Sequence, residues 1–423
     1  MRTKCDVLIL IWGMIGRDAE ALIPIIYLLK KKYKLKVIVR SIFDYTAIDC
    51  LRPKVLLTNG CNGSNETYKA TKYAKSRGIH TVSLHAEGIF RKENIESFII
   101  ADNKSGQPTV NKWFVWGENN YEMAVKYYPQ FKEVLRVAAS TLHEKYIIHK
   151  NNNFLRSNLL KKKYSQVALY IAGSFDYLGP GVLGDYGAKQ KEYIIDSLRY
   201  LATTYPECLL VLKYHPATIN ISKTEIYNYF DDLENILILR DEYPIYKLIL
   251  SCDIMLNFDS TTQIDAWLSG KPTISLFRND CSVYADKKIY GNRFIRNGAL
   301  NSLTFNDFKS SIDEFFKKGS IIEFEEKSTI RNEIILTSIG DVSAKPSLTI
   351  ASYINSNLKG HKRNLSQFSF LYFLKGILNK VFYHFQFLPN IKGVSNMREH
   401  FDPEGFKSQY DEFKPYLRKY YNL

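Results

Sequence analysis

The sequence predicts an α/β protein of two doubly wound, parallel-sheet domains followed by a helical tail, and three observations predict it. Short apolar runs such as DVLILIW, KVLLTN and HTVSLH alternate with longer amphipathic stretches through the first third of the chain, as strands buried on both faces alternate with the helices that cover them. A second series with the same rhythm begins at QVALYIAG, and the polar, charge-rich segment HEKYIIHKNNNFLRSNLLKKKYS separates the two. The length of 423 residues exceeds one ordinary core and suits two domains of roughly 150 to 200 residues each.

In the first series DVLILIW reads as a strand, GMIGRD as a loop and AEALIPIIYLLKKKY as a helix. LKVIV and KVLLTN supply the next two strands, NETYKATKYAKSRG a helix that ends at Gly78, and HTVSLH a fourth strand. NKWFVWG and EVLRVAAS are two further strands joined by the helix ENNYEMAVKYYP. In the second series QVALYIAG, CLLVLKYHP, NILILRD, DIMLNFD and PTISLF are strands, and KQKEYIIDSLRYLATTYP, PIYKLILSC and TTQIDAWLSG are helices between them. Later stretches such as FNDFKSSIDEFFKKG are helical. The expected organisation is a first domain over 1–145, a linker over 146–165, a second domain over 166–357 and a basic, aromatic tail over 358–423.

A hydrophobic share of 45% with 24% charged residues argues against disorder and against an integral membrane protein, and no apolar run reaches the roughly 18 residues of a spanning helix. MRTKCDVLILIWGMIG has the basic tip and apolar run of a leader, but Asp6 interrupts it and GRDAEA follows, so it reads as a first strand. Six cysteines lie scattered without metal-ligand spacing and read as reduced thiols of a cytoplasmic protein. The net charge of +15 asks for an acidic partner, either phosphorylated substrates, an anionic membrane face or nucleic acid, or else marks a solvated basic surface. No nucleic-acid module accompanies the charge, which sets nucleic acid aside. The tail segment SQFSFLYFLKGILNKVFYHFQFL, with Lys375 and Lys380, reads as an amphipathic helix that either lies in a membrane interface or packs back on the protein.

In an open α/β sheet ligands gather beyond the carboxyl ends of the strands. In the second domain that edge carries Gly173, Ser174 and Asp176, then Lys213 with His215 and Pro216, then Asp241 and Glu242, then Asp259, Ser260, Thr261 and Thr262. The run FDSTTQIDAWLSGKP passes from strand to helix through N-cap residues. Its hydroxyls and free N–H groups either form an anion site or simply cap a structural helix. Pro216 ends its strand where the His215 imidazole leaves the sheet edge, and strand alternation sends Lys213 to the same side. Two nitrogen donors there suit a phosphate group. In the first domain the strand ends present Gly13 to Asp18, Asn59 to Gly63 and His85 to Gly88. Glu87 is the expected general base, with Asp18 in reserve; the alternative for Glu87 is a cap or salt-bridge role.

KYHP, followed further on by DSTT, a helix and GKP, resembles a group of bacterial GT-B enzymes. That group includes CDP-glycerol glycerophosphotransferases of teichoic acid synthesis, capsule Kdo transferases, polysialyltransferases and surface carbohydrate biosynthesis proteins. The resemblance spans roughly residues 50 to 300, and FVWGENNYEMAVKYYP and VAAS are similar to stretches that end the first domain in that group. It implies a metal-independent, inverting glycosyltransferase acting on a nucleotide-activated donor, most simply a CMP-linked sugar, and a bacterial surface glycan such as capsule or O-antigen. Glycerophosphate transfer from CDP-glycerol is the alternative chemistry, and a non-enzymatic basic membrane- or nucleic-acid-binding protein the alternative class. Carried over onto this chain, the donor contacts fall on Lys213, His215, Pro216, Ser260, Thr261 and Thr262, with Asp265 at the ribose-binding position; Ser174, at the strand-end edge, is a further expected donor contact outside that carry-over. No cofactor is implied beyond the donor itself; the expected partners are that donor, a glycan or lipid-linked acceptor and the anionic inner face of the plasma membrane. DxD, HExxH, Walker A and dinucleotide-binding patterns are absent from the sequence.

Overall fold

The computed structural model describes residues 5–59, 63–86, 88–92, 94–151, 154–160, 163–171, 180–214, 228–239, 242–258, 260–278, 293–358, 369–384 and 402–423. Among these, twelve strands form two six-stranded sheets. The first contains β1 (Val7–Ile11), β2 (Val37–Ser41), β3 (Val55–Asn59), β4 (His80–Leu84), β5 (Lys112–Val115) and β6 (Leu135–Val137), in the order β2-β1-β3-β4-β5-β6. The second contains β7 (Gln166–Ile171), β8 (Cys208–Lys213), β9 (Ile236–Leu239), β10 (Ile254–Asn257), β11 (Thr273–Leu276) and β12 (Leu300–Ser302), in the order β12-β11-β10-β7-β8-β9. Every pairing is parallel. Residues of β1, β3, β4, β8, β10 and β11 are buried without alternation, because helices cover both faces of a parallel sheet. The structure is therefore the predicted α/β architecture of two Rossmann-like domains.

The helices, in chain order, are α1 (Arg17–Lys31), α2 (Thr46–Leu51), α3 (Asn65–Ser76), α4 (Ile95–Ile99), α5 (Glu118–Tyr127), α6 (Glu144–Ile148), α7 (Phe154–Leu160), α8 (Pro180–Thr204), α9 (Ile245–Ser251), α10 (Thr262–Leu268), α11 (Arg293–Gly298), α12 (Phe305–Lys318), α13 (Ile322–Glu326), α14 (Ser328–Ile339), α15 (Pro346–Ser356), α16 (Phe370–His384) and α17 (Pro403–Tyr421). Two compact units result, one of residues 1–148 with 336–423 and one of His149–Ile335. Residues 336–357, which the sequence reading placed with the second domain, and the tail beyond them thus group with the first. The described residues of the expected linker include parts of two helices, α6 and α7. Glu144, Lys145 and Tyr146 of α6 are buried in the first unit, while Arg156 of α7 donates to the carbonyl of Ser251 (2.9 Å) and to Asp253 (2.8 Å) in the second.

The returning segment explains an oddity of α1. Its stretch ALIPIIYLL is apolar on every side, which suits a helix with no solvent face. The sheet takes one side, and α15 and α17 pack on α1 as well. The return needs two glycines. A Cβ on Gly117 would overlap the Thr337 carbonyl, and one on Gly340, which has a φ of +78°, would sit 2.8 Å from the Ala139 Cα and the Trp116 carbonyl. Between them the Ser140 N–H donates to the Ile339 carbonyl at 2.8 Å. The WG and VAAS stretches of the sequence are thus the seat of the returning chain.

Helix α17 is held along its length. Phe413 and Leu417 are fully buried, Gln409 accepts from the Gly16 N–H at 3.1 Å, and the Tyr421 hydroxyl donates to Glu144 at 2.7 Å. Glu144 also accepts from the Ser347 N–H at 3.3 Å. Burial pushes its carboxyl up to about 7, against the opposing pull of these hydrogen bonds and of nearby Lys345.

Two expectations follow. Gly117→Ala should lower the unfolding free energy by about 1 to 3 kcal/mol through overpacking against Thr337, read by urea denaturation. A carboxyl whose folded pKa is raised contributes stability that is complete below its unfolded value of 4.5 and is lost as pH rises through about 7. Urea titrations across this range should show the native chain losing about 3 kcal/mol relative to Glu144→Gln; parallel pH profiles for the two proteins would contradict this.

Candidate functional site

In each sheet the strand order reverses direction once, between β1 and β3 in the first and between β7 and β10 in the second. Loops leaving the carboxyl ends of such a strand pair diverge to opposite faces and open a crevice. In the second unit Lys213 at the end of β8 is level with Ile171 of β7, and Ile171 is level with Asn257 at the end of β10. Adjacent strands lie about 4.8 Å apart, so the backbones of Lys213 and Asn257 are about 10 Å apart on one sheet edge. The segment that begins with KYHP and the segment that leads into STT therefore leave the same edge, one on each side of β7. Lys213 is buried. His215, Pro216 and Ser174 lie outside the described residues.

The three hydroxyl residues after β10 organise the entry to α10. The Ser260 N–H donates to Asn257 Oδ1 at 3.3 Å, Ser260 Oγ accepts from the Thr262 N–H at 3.3 Å, and the Ser260 and Thr262 hydroxyls share a 2.7 Å hydrogen bond. Ser260 thus closes a turn onto the first residue of α10, while Thr261, at the N-cap with helical backbone angles, is exposed. Asp265 is half-buried in the first turn. Among the described residues, Nδ2 of Asn257 and Oε1 of Gln263, both buried at this junction, have no hydrogen-bond partner. On the neighbouring strand Gln190 of α8 donates to the Leu276 carbonyl (3.0 Å) and accepts from the Arg278 N–H (3.0 Å). This pins the chain where Arg278 leaves the edge beside β10. Arg278 is not among the strand-end residues singled out above, although an arginine directly after the apolar run PTISLF marks that edge in the sequence.

In the first unit the β1–α1 turn is closed by Asp18, whose Oδ2 accepts from the Gly13 N–H at 3.0 Å. Gly16, at φ +71°, supplies the left-handed residue at the helix entry. Across the crevice Asn59 ends β3, fully buried and, among the described residues, with neither amide atom hydrogen-bonded. Glu87 lies outside the described residues, but the residues on either side of it are fixed. The His85 ring nitrogen Nε2 lies 2.7 Å from the Gly88 carbonyl, which requires Nε2 to be the donor. The indole of Trp116 donates to the His85 carbonyl at 2.7 Å. Burial holds the imidazole down to about 4, with the charge of Arg17 adding to the effect, so the ring is neutral at pH 7, and its buried Nδ1 has no hydrogen-bond partner among the described residues. His85 was read only as a strand-end residue; its grip on the far end of the His85–Gly88 loop depends on folded contacts that no local pattern announces.

No family model matches the chain, and no curated protein matches it. Solved structures match in fold. The UDP-GlcNAc 2-epimerase of Neisseria meningitidis bound to UDP-GlcNAc is 16% identical, with a TM-score of 0.55 over 83% of this chain and 100% of that one. A putative UDP-N-acetylglucosamine 2-epimerase from Listeria monocytogenes is 13% identical, with a TM-score of 0.57 over 84% of this chain and 97% of that one. The wall teichoic acid polymerase TagF is 10% identical, with a TM-score of 0.54 over 84% of this chain and 90% of that one. At such identities the likeness is one of fold. The fold is GT-B-like, as the sequence resemblance implied.

Ser260→Ala removes the oxygen that holds the first turn of α10. It should lower stability by about 1 kcal/mol, the usual cost of a lost net hydrogen bond, measured by chemical denaturation.

Proposed function

We propose that this protein transfers a sugar from a nucleotide-activated donor, a CMP-linked one in the simplest form of the reading, to a growing bacterial surface glycan or its lipid-linked precursor. The observation that carries the proposal is the level placement of Lys213 and Asn257 on one sheet edge, on either side of the strand-order reversal. It gives the KYHP and STT segments a common origin from which to reach one phosphate group. The GT-B-like fold, found in structures bound to nucleotide sugars, supports the same class of ligand.

In this reading the second unit holds the donor. Lys213 and His215 donate to the departing phosphate and Pro216 fixes the backbone between strand and loop. Ser260, Thr261 and Thr262 bring hydroxyl and backbone N–H groups, Asp265 binds the ribose, and Ser174 adds a hydroxyl from the loop after β7. Charge that builds on the leaving phosphate meets donors already oriented by the sheet edge. Glu87 of the first unit takes the proton from the acceptor hydroxyl, with Asp18 as second candidate, and a single displacement inverts the donor carbon. The reaction assigns chemistry to protein side chains alone. An anionic membrane face carrying the acceptor accounts for the basic charge.

CDP-glycerol in place of a sugar nucleotide would move the attack to phosphorus with the same residues, and the likeness in fold to TagF keeps that reading in view. The test offers CMP-, CDP-, UDP- and GDP-linked donors to the native protein and to His215→Ala, and measures nucleotide release. Native protein should release one nucleotide, and His215→Ala should do so about 100-fold more slowly or worse while melting normally. Equal release by the variant would remove the phosphate role, and acceptor-independent isomerisation of a UDP-sugar would replace transfer with epimerisation.

A further inference from the structure

We propose that the outward face of α16 is a docking surface for an anionic lipid bilayer. This deepens the membrane part of the reading above and is independent of the donor chemistry.

The inner side of α16 is tied to the first unit. The Tyr372 ring lies 4.5 Å from that of Tyr45 and 4.2 Å from that of Tyr73. The Tyr73 hydroxyl accepts from the Ser369 N–H at 3.3 Å. Gly376 lies so close to the backbone of Thr46 that a Cβ would come within 2.8 Å of it, so the helix is pressed against α2 along its axis. The opposite side would ordinarily be polar. Instead Phe370, Leu371, Leu374, Ile377 and Leu378 are 64%, 77%, 38%, 41% and 46% exposed. At 3.6 residues per turn these five positions fall in one arc of about 120°, opposite Tyr372 and Gly376. A contiguous apolar stripe of this kind marks an interaction site.

Charge selects the occupant. Between Lys359 and Lys392 the chain carries six basic residues and no Asp or Glu. Within that stretch Lys375 borders the arc, its ammonium 3.8 Å from Glu66 and its side chain 46% exposed. An apolar stripe in a stretch of sequence whose charge is of one sign suits acyl chains beneath anionic headgroups. A second copy of the chain would bring like charge against like. The helix has 15 residues, too few to span a bilayer, and among the described residues no helix is long and apolar enough to cross one. With one side occupied by protein, α16 lies along the interface.

The experiment is flotation of the full-length protein with vesicles of phosphatidylcholine alone or mixed with phosphatidylglycerol. Native protein should float with the mixed vesicles, more weakly with neutral ones, and less as salt rises. The variant Phe370→Gln/Leu371→Gln/Leu374→Gln alters exposed side chains and should keep the native circular dichroism and melting temperature while losing about tenfold or more in partition. Lys375→Gln/Lys380→Gln should retain the stripe and lose the preference for anionic vesicles, which keeps the proposal open to test if the triple variant fails to fold. Absence of flotation by native protein, equal flotation by the triple variant, or an unchanged anionic preference in the lysine variant would overturn the proposal. So would a dimer that the triple variant dissolves without any change in lipid partition, since a second copy would then own the face. Loss of nucleotide release with normal flotation, or the reverse, separates this proposal from the transferase reading.

Discussion

Parallel pairing through β7 is the constraint on which the candidate site depends. A parallel strand must be re-entered from the same end, so every strand of the second sheet delivers its carboxyl terminus to one edge. Because β8 and β10 lie on either side of the first strand of that sheet, two segments separated by forty-odd residues in the chain start out level with each other. The same rule in the first sheet brings the Gly13–Gly16 turn and Asn59 to the flanks of its own reversal. Chemistry is thus placed by topology before any side chain is chosen.

The strands were legible because burial on both faces leaves no alternation to confuse. VLILI, CLLVLK and IMLN can hardly be anything but sheet interior once turn residues bracket them. The strand-end residues followed from the strands. Less legible was what the hydroxyls after β10 do for the fold itself. Ser260 accepts from the Thr262 N–H at the entry to α10, whereas the sequence leaves capping and anion binding both open there. Buried Asn257 and Gln263 look in sequence like ordinary polar residues, and only the packed structure reveals polar atoms without hydrogen bonds, among the described residues, at the crevice.

The end of the chain was the least legible part. A basic, tyrosine-rich ending invites a single description, yet α16 and α17 behave differently. Helix α17 hides Phe413 and Leu417, four residues apart on one face, and binds Gln409 and Tyr421 to residues near the start of the chain and in α6. Helix α16 shows its apolar residues to the outside. Contacts across nearly four hundred positions have no local signature. The two glycines that admit the returning chain, Gly117 and Gly340, resemble any other turn glycines until the passing backbone is seen.

That return has a consequence for biogenesis. Helix α1 leaves the ribosome well before α15 and α17, which clothe its outer flank. During vectorial synthesis the greasy ALIPIIYLL segment must wait, uncovered, while the entire second unit is translated and folds. The unit begun before the other is completed only after it, and a nascent chain stalled ahead of α15 and α17 would present that segment to chaperones as an open wound beside its sheet.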